Sequence, residues 1–508
     1  MTDFSAGRRF ALVSPKAWGL GRLSAILLAL VALACVVVLE WRFAGLDVEE
    51  ISVAGTPVTI YSQPSADPKA PVIVAHGFAG SRQMMDQIAL SLARQRFLVA
   101  SVDLPGHGRN RQPLLPDVTR IEGTTAQLVD AVARVADALV AREDTRGPVS
   151  YVGHSMATDV VIRAARLRED VGGVVAISMY STDVSADHPQ RLLVLSGATE
   201  TRLRAVGVEA VQQIDPRAQE GETVSQGDLQ RRTASAPLVG HVGVLYAPQT
   251  LAELTRWLRD ATASGTPARL DTSGWVAGVL FGSLVALAWP LSKLIPERAG
   301  AARAPVTPKV FLTCLITPIP VVLLIAALPV SGVAGFAAFA SLSAILSGWG
   351  VVQLAILWRA GIRIGKPDLA GTLIYLSLAL VFALALDRYG AAFLPVGERV
   401  WIGLAILIGT VPLMLADTEL AQGASIWRRI LARFALFVGL AAAMALKPTE
   451  LGLAFTVLPV LFLYFLVYGT MARWVALRRG PESVGFGKAV VLAWAIAAST
   501  PLFMQAGL

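Results

Sequence analysis

One serine in this chain stands in a setting that activates a hydroxyl for nucleophilic attack. Ser155 is the central residue of a five-residue motif, 153–157, that directly follows a β-rich run at 149–152 and directly precedes a helical run at 158–167. A serine on such a sharp strand-to-helix turn sits in a strained backbone conformation, and the turn tolerates only small residues two positions to either side. Gly153 and Ala157 meet this requirement, although glycine is the usual residue at the second position. The pattern predicts a nucleophilic serine.

Attack on a carbonyl places negative charge on its oxygen, and two backbone N–H groups are predicted to stabilise that charge. Met156 opens the helix after the serine, so its N–H lies at the positive end of that helix. His76, Gly77 and Phe78 follow another strand-like run, where the second donor of such a site is needed. The N–H of Phe78 is the predicted second donor.

Three motifs in order resemble a known family. A turn of sequence Asp-Leu-Pro-Gly-His-Gly at 103–108 lies between the His-Gly loop at 76–77 and the serine motif at 153–157. This order and spacing resemble the α/β-hydrolase superfamily of esterases, lipases and related enzymes. The resemblance covers about residues 50–262 and implies a mostly parallel sheet with helices on both faces. It makes four residues structural parts of the motifs, namely His76, Gly77, Gly153 and Ala157.

The resemblance also implies a histidine base. The chain has five histidines: His76, His107, His154, His188 and His241. The first two belong to turn motifs, the third is expected to point away from the site within the serine motif, and the fourth comes too early for the chain order serine, acid, histidine. His241 remains as the predicted base, because it stands between a β-rich stretch at 233–239 and a helical one at 250–259, where the family places this residue.

The family places its acid in the loop after the strand that contains residues 192–195. Glu200 is the carboxylate in that loop and is the predicted acid. Asp183, at the end of the preceding strand, and Asp215 are the alternatives. Asp103, in the turn motif, is interpreted as a structural hydrogen-bond acceptor.

Residues 44–265 are expected to form the α/β-hydrolase domain, because strand-like and helical runs alternate there. A hairpin at 50–55 and 58–62 is expected to add antiparallel edge strands. Only about ten residues separate the strand ending near Tyr180 from the next, which is too few for a helical cap. The fold is therefore predicted to have no cap domain, and its site to be open or covered by neighbouring molecules or the membrane surface.

The rest of the chain is too apolar for a soluble protein. Of the 508 residues, 55% are hydrophobic and 16% charged, whereas soluble chains carry about a quarter charged residues. After a cytoplasmic tail (1–19), residues 20–43 are predicted to be an uncleaved signal anchor. Residues 274–508 are predicted to form an all-α transmembrane bundle of about eight helices, with apolar segments near 274–295, 310–331, 334–357, 369–386, 400–416, 434–446, 451–472 and 489–505.

The distribution of charge argues against nucleic-acid binding and sets an orientation. The net charge is +8, yet residues 47–269 carry 22 Lys/Arg against 25 Asp/Glu, so the basic excess lies in the tail and the short loops. Lys/Arg excess marks cytoplasmic loops. We therefore expect a multi-pass protein of a bacterial cytoplasmic (inner) membrane, with its hydrolase domain outside and its basic loops inside, the latter carrying Arg298, Arg303, Lys309, Arg359, Arg363, Lys366, Arg428, Arg429, Arg433, Arg473, Arg478, Arg479 and Lys488.

These features predict a membrane-bound serine hydrolase that cleaves a carboxylic ester (class 3.1.1) of a small-molecule or lipid acyl substrate. No metal or organic cofactor is predicted, because no His/Cys/carboxylate cluster has metal-ligand spacing, and no protein partner is indicated. Two alternatives remain open: an acyltransferase with the same triad, and a transporter or assembly protein with an auxiliary hydrolase-like domain. The bundle is interpreted as an anchor, with lateral delivery of a lipid-like substrate, or transport, as the alternatives.

Overall fold

The structure of the chain, a computed structural model, describes residues 15–65, 67–118, 120–301, 303–329, 333, 335–451 and 455–505. Among these residues, nine strands form one sheet in the order β1-β2-β4-β3-β5-β6-β7-β9-β8. The strands are β1 (Asp47–Val53), β2 (Thr56–Ser62), β3 (Pro71–Ala75), β4 (Leu98–Val102), β5 (Val149–His154), β6 (Val171–Ile177), β7 (Arg191–Gly197), β8 (Thr223–Gln226) and β9 (Leu229–Ala236).

The helices divide between the sheet and the C-terminal half. The first, α1 (Pro15–Trp41), precedes the sheet, and five helices pack on it: α2 (Asp86–Arg94), α3 (Ala126–Val140), α4 (Ala157–Arg166), α5 (Thr201–Gln212) and α6 (Pro248–Thr262). The C-terminal half contains α7 (Gly274–Lys293), α8 (Pro308–Ile316), α9 (Pro318–Ala327), α10 (Phe339–Arg359), α11 (Leu369–Tyr389), α12 (Glu398–Ala421), α13 (Ile426–Leu446), α14 (Pro448–Leu451), α15 (Val457–Arg479) and α16 (Gly485–Ser499).

The sheet is mostly parallel, as predicted. Strands β4, β3, β5, β6, β7 and β9 run parallel, and only the pairings β1/β2, β2/β4 and β8/β9 are antiparallel. The central strands β3, β4 and β5 are buried along their whole length, because α2 and α6 cover one face and α3, α4 and α5 the other. The carboxyl ends of these strands therefore meet along one edge of the sheet.

Two details differ from the sequence-based expectation. In the N-terminal hairpin only β1 is an edge strand, because β2 lies between β1 and β4. The hairpin of β8 and β9 was predicted only in part, since the β-rich stretch at 233–239 overlaps β9 but β8 was not predicted. Apart from Val224 the residues of β8 are polar, and most of the strand is exposed, so it lacks the apolar signal that marks the central strands.

Eight helices in the described part of the chain are long and apolar enough to cross a membrane, counting α8 and α9 as one span of Pro308–Ala327. The helix at the predicted segment 434–446 is longer than predicted. It begins at Ile426, and its first turns carry arginines, which interrupt the apolar pattern. The predicted segment at 489–505 is shorter: α16 has 15 residues and ends before Pro501. Pro501 has no N–H to donate to the carbonyl of Ala497, the hydrogen bond that would continue the helix.

The chain after α16 joins the hydrolase domain instead. The N–H of Leu502 donates to the carbonyl of Gly106 (2.9 Å), and the N–H of Leu114 donates to the carbonyl of Leu502 (2.8 Å). Arg399, at the start of α12, donates to the same Gly106 carbonyl (2.9 Å). These contacts fix one end of the helical region against the turn that follows β4.

Candidate active site

Ser155 lies on the sharp turn between β5 and α4. Its φ is +52°, a left-handed conformation that is strained for a residue with a side chain. Its N–H donates to the carbonyl of Ile177 (2.8 Å), which ties the turn to β6. A Cβ atom at Gly153 would lie 2.5 Å from the carbonyl oxygen of Ala157, so a larger residue at position 153 would displace the turn.

The structure brings the three side chains of the predicted triad into one hydrogen-bonded chain. Nε2 of His241 lies 2.9 Å from Oγ of Ser155, and Nδ1 of the same ring lies 2.6 Å from Oε1 of Glu200. With the proton on Nδ1 donated to the carboxylate, the lone pair on Nε2 faces the serine hydroxyl. This is the arrangement in which a histidine removes a proton from a nucleophile.

The carboxylate of Glu200 is buried and fully engaged. Its side chain is 7% exposed, and Oε2 accepts hydrogen bonds from Oγ of Ser178 (2.8 Å) and from the N–H of Gly197 (2.7 Å). Burial alone would raise its pKa, but the hydrogen bonds from His241, Gly197 and Ser178 outweigh burial and hold the pKa of Glu200 below its usual value. The group is therefore an anion at neutral pH, suited to a protonated imidazole.

The alternative carboxylates lie elsewhere. Asp183 pairs with Arg166 (3.0 Å) and Arg163 (3.6 Å) on α4. Asp215 lies in an exposed turn, where it accepts from the N–H of Arg217 (3.0 Å). Among the described carboxylates, Glu200 is the one that contacts the imidazole of His241.

His154 does not point away from the site, so that expectation is wrong. Its Nε2 donates to the main-chain carbonyl of His241 (2.8 Å), and the two ring centroids lie 4.9 Å apart. Burial lowers the pKa of His154 to about 4, which keeps the ring neutral. Sequence carried no signal for this contact, since it depends on the path of the loop after β9.

The other histidine motifs support the backbone. In His76, Nδ1 donates to the carbonyl of Gly77 (2.7 Å) and Nε2 accepts from the N–H of Leu104 (3.1 Å). In His107, Nδ1 donates to the carbonyl of Pro105 (2.8 Å). The bond between His76 and Leu104 joins the loops after β3 and β4, and the other two stabilise each loop internally.

Asp103 accepts hydrogen bonds from the backbone, in the structural role predicted for it. Its Oδ1 accepts from the N–H of Arg82 (2.9 Å), and its Oδ2 from the N–H of Arg109 (3.1 Å). A Cβ atom at Gly108 would lie 2.2 Å from Oδ1. The carboxylate thus organises the turn and makes no contact with His241.

The two predicted oxyanion donors flank the serine. Met156 directly precedes α4, and Phe78 lies in the loop after β3. That loop is tight against the nucleophile, because a Cβ atom at Gly77 would lie 3.1 Å from Cβ of Ser155. Within the described residues, neither the N–H of Phe78 nor that of Met156 donates a hydrogen bond. Both are therefore available to an acceptor.

The helical region forms one wall beside this loop. The ring of Phe455, which precedes α15, stacks on Phe78 with centroids 5.9 Å apart, and Phe503 lies 6.2 Å from the same ring. The loop between β6 and β7, residues 178–190, contains no helix. The wall that a cap would provide near Phe78 thus comes from the helical region, and the ring of Phe455 stays 53% exposed.

The sheet and the geometry of the site define the class of the N-terminal half: the chain carries an α/β-hydrolase domain, joined to a region of apolar helices. Comparison with known proteins agrees with this class. Residues 66–265 match the family described as serine aminopeptidase, S33. Comparison with curated proteins gives no match.

Several solved structures are similar to the hydrolase domain. A dienelactone hydrolase from Anabaena variabilis is 19% identical over 42% of this chain and 96% of its own, with a TM-score of 0.33. An esterase from Thermogutta terrifontis is 15% identical over 42% and 99% (TM-score 0.31). A membrane phospholipase A described as a bacterial virulence factor is 16% identical over 47% and 92% (TM-score 0.31).

Proposed function

We propose that this protein is a membrane-bound serine hydrolase that cleaves a carboxylic ester through an acyl-enzyme. The observation that carries the proposal is the hydrogen-bonded chain from Ser155 through His241 to Glu200. Three groups far apart in sequence meet in the order and with the atoms that nucleophilic catalysis requires.

In the first step, Nε2 of His241 takes the Ser155 proton while Oγ attacks the ester carbonyl. The N–H groups of Phe78 and Met156 stabilise the oxyanion, and Glu200 stabilises the imidazolium. Collapse of the intermediate breaks the bond to the alcohol oxygen, which receives the proton from His241. Water, deprotonated by the same nitrogen, then releases the acid and restores the serine.

An apolar acyl group fits the surroundings of the nucleophile best. The ring of Phe78 lies beside the proposed oxyanion donor and stacks on the half-exposed ring of Phe455, so the two rings form one apolar surface. An acyl chain lying on this aromatic surface would lose contact with water, which contributes about 25 cal/mol per Å² of apolar surface buried. We therefore infer an ester with an apolar acyl chain.

A fluorophosphonate probe on the purified full-length protein tests the nucleophile. The wild-type protein should be labelled, and Ser155→Ala should lose labelling and lower turnover by about three to six orders of magnitude. Ser181→Ala, a half-buried serine that contacts Asp159, serves as the matched control and should be labelled normally. Labelling of Ser155→Ala would place the nucleophile elsewhere.

A substrate panel separates hydrolysis from its alternatives. It should contain p-nitrophenyl esters of increasing chain length and, because the matched family is described as an aminopeptidase, aminoacyl p-nitroanilides. Esters should be turned over faster than anilides. Product analysis with an added acceptor alcohol would reveal an acyltransferase, since transfer would then exceed hydrolysis.

We further propose that the hydrolase domain lies outside a bacterial cytoplasmic membrane. In support, basic residues at the end of the helices near this domain are engaged in internal contacts, such as Arg388 with Glu40 (2.9 Å) and Arg399 with the Gly106 carbonyl. The arginine-rich loops lie at the other end. Reporter fusions after residue 265 should behave as extracytoplasmic and fusions within 298–309 as cytoplasmic, and the reverse pattern would invert the proposal.

A further inference from the structure

A groove with both basic and aromatic lining residues lies at the end of the helical region remote from the hydrolase domain. The proposed reaction makes no use of it. It encloses about 640 Å³ between α12, α13 and α15. Arg473, on its wall, lies 18 residues after Phe455, so by helix rise it is about 27 Å along the helix from the residue that contacts the loop of Phe78. The groove is therefore a separate feature.

One part of the groove is lined by basic side chains. Four basic side chains line the groove: Arg429, Arg433, Arg473 and Lys488. One carboxylate, Asp417, contacts two of them, since its oxygens lie 2.5 Å from Nζ of Lys488 and 3.5 Å from Nε of Arg433. In the part of the chain that the structure describes, neither Arg429 nor Arg473 lies within 4 Å of a carboxylate. The groove thus carries a net positive charge that it does not neutralise itself.

Its walls are apolar and aromatic. Phe434, Phe462 and Leu466 line it and are 61%, 60% and 57% exposed. Along α13, eight residues separate Arg429 from Phe437, so the apolar wall extends about 12 Å from the first cation. Gly469 also lines the groove, and a Cβ at this position would make only ordinary contact, 3.6 Å from Nη2 of Arg433, so a larger side chain here would occupy the groove.

We propose that this groove binds an anionic membrane lipid, with its headgroup on Arg429 and Arg473 and one acyl chain along the phenylalanines. A soluble anion would use the cations but leave the aromatic wall without a partner. An uncharged lipid would leave two arginines without an anion. An anionic amphiphile matches both halves of the groove, and the helices around it have the length and hydropathy of membrane spans.

Native mass spectrometry of the full-length protein, titrated with phosphatidylglycerol or phosphatidylcholine, tests the site. The wild-type protein should retain phosphatidylglycerol selectively. Arg429→Gln/Arg473→Gln should weaken that binding by about tenfold or more, because two charge-assisted contacts are lost. Gly469→Leu, which fills the groove, should do the same while keeping every cation.

The matched control is Arg359→Gln/Arg363→Gln, which removes two exposed arginines of another basic loop outside the groove. It should bind phosphatidylglycerol as the wild type does. Equal weakening in this control, or equal retention of both lipids, would overturn the proposal, because charge near the membrane would then suffice. Inorganic phosphate that displaces the lipid completely, with Gly469→Leu unaffected, would overturn it too and reveal a simple anion site. Thermal unfolding confirms that each variant is folded.

Discussion

Two buried carboxylates, one in each half of the molecule, are paired with basic side chains in opposite ways. Glu200 is buried, but its partner His241 is 46% exposed and reaches Ser155 with its second nitrogen. Asp417 is also buried, but the side chain of its partner Lys488 is only 4% exposed. Nζ of Lys488 also donates a hydrogen bond to the hydroxyl of Thr418 (2.9 Å). In the first pair, the second nitrogen of the imidazole faces the Ser155 hydroxyl and can exchange a proton with it. In the second pair, the ammonium group donates to buried protein groups, Asp417 and Thr418.

The difference indicates what each pair is for. A histidine can lose and regain a proton near neutral pH, so an exposed imidazole held by a buried anion suits proton transfer. A buried lysine–carboxylate pair gains little net stability but is costly to break, because either partner alone leaves an uncompensated charge. Substitutions at the first pair should therefore change turnover, and those at the second should change stability.

The largest effect should come from His241→Ala. Without an acceptor for the Ser155 proton, turnover should fall by about 10⁴- to 10⁶-fold, with little change in thermal unfolding because the ring is half-exposed. His188→Ala, which removes a ring bonded to the Ile162 carbonyl, should keep most of the activity. If His241→Ala retains a tenth of wild-type turnover, the base is another group.

Next in size is Glu200→Gln, which keeps the shape of the side chain but removes its charge. Turnover should fall by about 10²- to 10⁴-fold, because the imidazolium loses its anion. Asp183→Asn and Asp215→Asn, measured in parallel on the same ester, should each stay near the wild-type rate. A large loss in Asp183→Asn instead would move the acid to the preceding strand.

Asp417→Asn should destabilise the protein while leaving the folded fraction active. It leaves Lys488 buried without its anion, which costs roughly 3–5 kcal/mol. Thermal unfolding followed by intrinsic fluorescence should show a lower Tm, and turnover per folded molecule should match the wild type. The double variant Asp417→Asn/Lys488→Met should recover much of the Tm, since it removes the unpaired charge. No recovery would show that the pair is not the source of the effect.

A smaller effect is expected at the aromatic wall. Phe455→Ala removes apolar surface on which the acyl chain is proposed to lie, and such burial contributes about 25 cal/mol per Å², so kcat/KM for long-chain esters should fall by about two- to tenfold. Short-chain esters should be turned over as before. Phe486→Ala, at an equally exposed ring (49%) on α16, is the control. A uniform loss over all chain lengths would show that Phe455 acts on folding rather than on the acyl group.

The smallest effect concerns pH. The pKa of Glu200 is below its ordinary value of 4.5, so its ionised form contributes stability that is present above that value and lost as pH falls through the lower, folded-state pKa. The Tm difference between wild type and Glu200→Gln should therefore shrink as pH falls from about 6 to about 3. A difference that grows in acid would mean that the folded state favours the protonated carboxyl.

Features that depend on adjacent residues could be predicted from the sequence. The turn around Ser155, the His-Gly loop and the alternation of strands and helices depend on neighbouring residues, so each left a continuous pattern. The mostly parallel sheet and the apolar helices followed from those patterns. Helix length was less certain where charge interrupts the pattern, as at the arginines that begin α13, or where proline ends it, as after α16.

Contacts between groups that are distant in sequence could not be predicted, because they depend on how separate elements pack. Glu200 and His241 are separated by 41 residues, and chain order alone left Asp183 and Asp215 open as the acid. The contacts of His154 with His241, and of Phe455 with Phe78, depend on how loops from different elements pack. The groove between α13 and α15 is of the same kind, because each helix supplies both cations and aromatic side chains, and only the packing of the two helices brings these side chains together. Packing of separate elements places these side chains together, and no run of adjacent residues encodes that placement.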